Sequence, residues 1–172
     1  MIKTDTKKII LGIDPGYAIL GYGALSVTGN KLTVIDYGVC ETTKDETFPA
    51  RLDKLYTATK LLIRKFEPDC VAFEELFFAR NTKTALYVSA ARGVSILAAQ
   101  QEGLPLYEYT PMQIKQAVCG NGHADKKQVQ MMVKNLLGLR SVPKPDDAAD
   151  GLAAAICHSG QIGPAAEDFR IG

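Results

Sequence analysis

Four carboxylates in the 172-residue chain stand where chemistry is possible. Asp14 closes a short apolar run, residues 9–13, and is followed by Pro15 and Gly16. Pro presets φ and Gly tolerates positive φ, so a tight turn is expected directly after the acid. Glu74 ends a second apolar run, in VAFEELF. Side chains on a strand alternate faces, so Glu74 and Glu75 must point to opposite sides. Asp147 and Asp150 lie three apart in PDDAADGLAAAICH and share one face of a helix. Asp146 is four before Asp150 and competes with Asp147 for the same role. Each acid has an ordinary reading too: a strand-end surface group, or a first-turn acid favoured by the helix dipole. Against that, acids within an apolar, small-residue helix are costly unless something pairs them. Few basic residues stand nearby in sequence to do so. Hard oxygen ligands drawn from two strands and one helix select Mg²⁺ or Mn²⁺ over zinc. Two such ions can activate a water and stabilise the leaving oxygen of an in-line phosphoryl displacement.

The elements that must position these acids can be read in order. β-like runs are expected over residues 9–14, 19–27 and 32–41, the last two joined by a turn at Thr28, Gly29 and Asn30. A helix over 49–66 repeats Leu52, Leu55, Tyr56, Leu62, Ile63 and Phe66 at helical spacing. A short strand over 70–74, a small-residue helix over 82–101 and a strand over 106–109 follow. Thr110 and Pro111 suit the N-cap and first position of a helix reaching about residue 118. Two more helices are expected over 125–137 and 146–158. The order predicts an α/β domain: a five-stranded mixed sheet, three antiparallel strands and then parallel ones, with helices on both faces. Residues 1–7 read as a flexible lead, 8–159 as a single domain, and 160–172 as a disordered tail.

Charge is unevenly spread behind a net of +1. Residues 80–144 carry nine Lys/Arg against three Asp/Glu, and residues 145–172 carry one against five. A basic middle beside an acidic end suits a polyanion-binding surface next to a cation site, although solvated helix faces give similar biases. The four cysteines form no CxxC pair, which argues against structural zinc. No run approaches a membrane span and no signal peptide is visible, so a cytoplasmic protein with no membrane partner is expected.

Taken together, GIDPG with the following GYG, the FEELFFARN segment, the EYTP-x-x-IKQAVCGNGHADKKQVQ run and the DDAADGLAAAICH helix resemble the RuvC family of bacterial Holliday-junction resolvases. The resemblance runs from about residue 9 to 158 without large gaps. It implies a ribonuclease-H-like fold, a homodimer, and Mg²⁺-dependent paired nicks in four-way junction DNA, with two ions per site and Mn²⁺ as a substitute. It also implies a RuvA–RuvB branch-migration complex as partner. The family's acidic positions fall on Asp14, Glu74, Asp147 and Asp150, and the spacing selects Asp147 over Asp146. Its basic positions near the scissile strand fall on Lys115 and Lys126, with Lys127 able to share the task. Phe77 falls where the family places an aromatic that stacks on junction bases, and Arg80 at a basic position of the same loop. Aromatics on a polar-flanked loop suit unstacked bases, and a loop anchored into the core is the plainer alternative. The small residues of the 82–101 helix would admit a second copy.

Two rival readings differ in class. GIDPGYAILGYG also looks like the phosphate loop of actin-like ATPases, but the chain lacks the second domain and the later glycine motif those need. A non-catalytic junction-binding protein is the other rival. Converging negative charge argues against it, because pure DNA binding has no use for it.

Overall fold

The computed structural model describes residues 6–76, 82–161 and 164–171. Phe77 and Arg80 lie outside the described residues. Five strands form one sheet: β1 (Lys8–Asp14), β2 (Ile19–Thr28), β3 (Lys31–Glu41), β4 (Cys70–Glu74) and β5 (Leu106–Tyr109). Their spatial order is β3-β2-β1-β4-β5. The β1–β2 and β2–β3 pairs are antiparallel, and β1–β4 and β4–β5 are parallel. This is the mixed sheet that the run of three β-patterns, followed by strands separated by helices, predicts.

Alternation splits the core in two. Even-numbered residues of β1 and β4, among them Ile10, Cys70 and Ala72, face α3 (Pro111–Cys119), α4 (Lys126–Leu136) and α5 (Asp146–Ser159). Leu11, Ile13, Val71 and Phe73 face α1 (Phe48–Phe66) and α2 (Thr82–Gln101). Asp14 and Glu74 are even-numbered and follow the α5 side. The helices begin as their caps dictate. Thr47 caps α1, Thr110 and Gln113 form a capping box at α3, and Asp125 and Gln128 form another at α4.

Two local features depart from the sequence reading. Gly16 does not adopt positive φ. It is glycine because a Cβ there would run into the carbonyl of Ile19 in the tight turn after Asp14. The second departure lies beyond residue 163, where a disordered tail is expected. Pro164–Phe169 instead forms a 3-10 helix. Ala166 is buried, Phe169 packs on Tyr109 at 4.9 Å between ring centres, and the Ile171 amide donates to the Leu106 carbonyl at 2.9 Å. The segment thus satisfies the free edge of β5 while covering an aromatic side chain. No helix among the described residues is long and apolar enough to cross a membrane.

Candidate active site

Asp147 and Asp150 reach the end of β1 because α5 lies directly on the sheet backbone. Gly12 pairs with Gly23 across β1–β2, and Asp14 pairs with Gly21. A Cβ on Gly12 would collide with the Gly151 carbonyl and would stand 2.6 Å from the Ala155 amide nitrogen. A Cβ on Gly21 would collide with the Asp147 main chain, and one on Gly23 would stand 2.6 Å from the Leu152 side chain. The converse also holds: a Cβ on Gly151 would stand 2.6 Å from the Tyr22 backbone. Asp147, Gly151 and Ala155 recur every four residues and form the stripe of α5 that rides on this glycine seam. With no side chains between helix and strands, the first turn of α5 drops its two acids beside the end of β1.

Glu74 arrives from the other side. The parallel β1–β4 register aligns Ile13 with Phe73, so the next residues, Asp14 and Glu74, end their strands at one level and on one face. The Glu75 amide donates to the Tyr109 carbonyl and its side chain points to the opposite face, which leaves it out of the site. Glu74, Lys115, Lys126 and Asp150 line a cleft of about 280 Å³, closed by Pro111, Ile114, Val129 and Ala153.

Electrostatics mark this cleft. Burial, reinforced by Asp150 and Asp147, pushes the Asp14 carboxyl up to about 7, and Lys126 holds it back in part. Burial, reinforced by Asp14 and Asp150, pushes Glu74 up to about 8, opposed by Lys126 and Lys115. Asp150 is also raised, by burial and against the pull of Lys126. Lys126 Nζ pairs with Asp150 Oδ2 at 3.2 Å. Burial alone would lower the Lys126 ammonium, but Asp150 and the neighbouring Asp146 and Asp147 carry it upward. Asp146 turns away to Lys144, whose Nζ stands 2.9 Å from Asp146 Oδ1. That partner draws Asp146 toward Lys144. Lys127 is exposed beside Lys126 and does not line the cleft.

Sequence reasoning names the acids and lysines, but it finds no base near Asp150. Lys126 supplies one from 24 positions away, on a helix whose start Asp125 fixes. Reasoning from sequence also passes over the support for the Asp14 turn. The Tyr17 carbonyl accepts from Thr42 Oγ1 at 2.8 Å, and Arg51 Nε donates to that same hydroxyl oxygen at 2.8 Å. The Arg51 guanidinium lies 3.6 Å over the Tyr17 ring, whose centre stands 5.1 Å from that of the stacked Tyr87 ring. The turn is thereby tied to α1 and α2 at once. An arginine in the first turn of α1, against the dipole, is the one hint in the sequence.

The residues fit divalent cations by donor type and by charge. Glu74 of β4 and Asp150 of α5 line the cleft, and Asp14 of β1 lies close enough for its charge to raise Glu74; burial and mutual repulsion disfavour the ionised acids, a cost that a dication would relieve. Among the described residues no three acids stand close enough to form a ready-made metal cage. Like charges repel, so such a set draws together only around a cation.

The family model described as Crossover junction endodeoxyribonuclease RuvC matches residues 10–158. The chain is 57% identical over 151 residues to a protein of that description from Alkaliphilus metalliredigens, covering 88% of this chain and 92% of the relative. It is 52% identical over 159 residues to one from Rubrobacter xylanophilus, covering 92% and 89%. The solved structure of Thermus thermophilus RuvC in complex with Holliday junction substrate superposes with a TM-score of 0.83 at 38% identity, covering 88% of this chain and 93% of that one.

Proposed function

Because the chain belongs to the RuvC family of crossover junction endodeoxyribonucleases, a family of metal-dependent nucleases, we propose that it resolves four-way DNA junctions by paired, symmetric nicks. The observation that carries this reading is the cleft lined by Glu74, Asp150, Lys115 and Lys126, with Asp14 beside it in the same electrostatic field. Asp14, Glu74, Asp147 and Asp150 would hold Mg²⁺, two ions per site, with Mn²⁺ as a substitute. Bound there, the ions supply charge stabilisation and activation of water for phosphodiester hydrolysis. The chain's own residues do the rest. Carboxylates freed of their protons orient the attacking water. Lys115 and Lys126 neutralise the scissile phosphate.

Residues 8–159 act as one nuclease domain in this reading. Phe77 and Arg80, in the segment between β4 and α2, would meet junction bases and backbone, with Lys127 adding to the phosphate surface. Two sites related by two-fold symmetry in a homodimer would cut two strands of like polarity. RuvA–RuvB is the partner and the cytoplasm the place of work.

The test is a synthetic four-way junction and a linear duplex of the same sequence, each with Mg²⁺ or with EDTA. Paired nicks only in the junction and only with Mg²⁺ are expected. Asp14→Asn should bind the junction and not cut it. Binding without cleavage by the unaltered protein, in Mg²⁺ and in Mn²⁺, would overturn the reading in favour of a non-catalytic junction binder.

A further inference from the structure

Lys126 occupies an unusual place for a residue whose only task is to meet phosphate. It is the first residue of α4, where a cation opposes the helix dipole. Its neighbour Lys127 offers the same charge to solvent without entering the cleft. Lys126 instead turns inward and pairs with Asp150, its Nζ at 3.2 Å from Oδ2. Among the described residues, no other lysine or arginine forms an ion pair with Asp14, Glu74, Asp147 or Asp150. This ammonium is the one in salt-bridge contact with the acid group, and its field reaches Asp14 and Glu74 as well as Asp150, with Lys115 adding to it at Glu74.

We propose that Lys126 is a built-in counter-ion that competes with the divalent metal for Asp150, and that metal binding hands its ammonium over to the DNA phosphate. The inference rests on the metal-site reading above and adds a regulatory step to it. Asp150 Oδ2 cannot both keep the ammonium at salt-bridge distance and ligate a dication without bringing two positive centres together. The stem of Lys126 is long and its side chain is 55% exposed, so the ammonium can swing out while α4 stays in place. In the metal-free protein it blunts repulsion among the acids. In the loaded protein it is released at the mouth of the cleft, facing incoming phosphate. Metal loading and DNA engagement are coupled through one side chain: DNA that draws Lys126 away from Asp150 tightens metal binding, and metal tightens DNA binding by the same factor.

The experiment is Mn²⁺ binding to the full chain without DNA, followed by calorimetry and by the electron-spin signal of free Mn²⁺. Lys126→Met keeps the apolar stem and removes the charge. Lys127→Met removes the same charge one residue away and controls for net charge. Lys126→Gln is a second variant should methionine perturb packing, with circular dichroism as the check on folding. Lys126→Met should bind Mn²⁺ roughly three- to tenfold tighter than the unaltered chain, the range set by a partly exposed ion pair and residual charge repulsion. Lys127→Met should stay within about twofold, as a screened, exposed charge does. Equal affinity in the two methionine variants, or weaker binding by Lys126→Met, overturns the counter-ion role while leaving the metal site intact. Absence of Mn²⁺ binding by the unaltered chain overturns the metal-site reading, and the counter-ion role with it.

Discussion

Asp14→Asn should remove cleavage and at the same time stabilise the metal-free fold at pH 8. The reason is the field around Asp14. Its carboxyl ionises near 3.8 in the unfolded chain and near 7 in the folded one, chiefly because burial disfavours its charge. Between those values the native state holds a proton that the unfolded state has released. Stability therefore falls as pH rises from about 4 to about 7 and stays low above that. A shift of about 3 units corresponds to about 4 kcal/mol, at about 1.4 kcal/mol per unit. Glu74, at about 8, is coupled to Asp14, and the two share part of that cost. About half, ~2 kcal/mol, is the share that removing one charge recovers. For a chain of this length that raises Tm by about 4–8 °C. The assay is thermal unfolding by circular dichroism in EDTA at pH 5 and pH 8. The readout is the Asp14→Asn minus wild-type difference at each pH, in which titrating groups remote from Asp14 cancel and the coupled Glu74 contributes to the gain. A gain of several degrees at pH 8 and a little over a third of it at pH 5 is expected, because pH 5 already lies above the unfolded value of 3.8. Mg²⁺ should stabilise the wild type more at pH 8 than at pH 5, because the acids must lose their protons to ligate. A difference that is the same at both pH values, or an Asn variant less stable than wild type at pH 8, would refute the argument that buried negative charge organises this cleft.

Four further outcomes follow from the packing. Gly21→Ala drives a methyl into the Asp147 main chain, and lifting α5 should cost about 3 kcal/mol and slow cleavage; Gly93→Ala in α2, where a Cβ meets nothing within 4 Å, should stabilise by about 0.5–1 kcal/mol, and denaturant titration separates the two. His158 is buried against Tyr109, with Nδ1 2.7 Å from the hydroxyl, and burial lowers its pKa to about 4. Its neutral form therefore supports the fold fully above about 6.5, and that support fades as pH falls toward 4; His158→Gln should flatten this limb of the stability curve. Arg51→Ala should remove the tie between the Asp14 turn and α1, costing about 1–2 kcal/mol and lowering kcat more than junction affinity, measured by single-turnover cleavage beside binding.

Much of the fold was legible because its signals are local. Apolar runs of strand length bounded by turns gave all five strands, and Thr110-Pro111 announced α3 with its cap. The alternation rule put Glu74 and Glu75 on opposite faces, and Glu74 lines the cleft while Glu75 does not; spacing alone left Asp146 and Asp147 both open, since three- and four-residue separations share a helix face. The missing parts are long-range. Gly12, Gly21 and Gly23 fall inside the expected strands and carry no signal of their own there, yet each lets a helix touch backbone. Nothing local reveals that, since the partner surface lies about 130 positions away at Asp147, Gly151 and Leu152. The Lys126–Asp150 pair is hidden for the same reason. The 3-10 turn at Pro164–Phe169 is hidden because its anchor is the edge of β5 rather than any pattern of its own.

The glycine seam and the charge of the cleft are one design seen twice. A helix held off the sheet by ordinary side chains would leave Asp150 in water and without a common focus with Asp14. Removing the side chains from β1 and β2 brings α5 onto the backbone, which excludes water and raises the Asp14 and Asp150 carboxyls. The fold then carries a cost for every charge it leaves unpaired there. That cost is the source of affinity for a dication, because the binding free energy includes relief of repulsion already present. It also explains why the acids sit at the edge of the core and not inside it. At the strand ends they keep one open side, toward Lys115 and Lys126, through which a phosphate can approach.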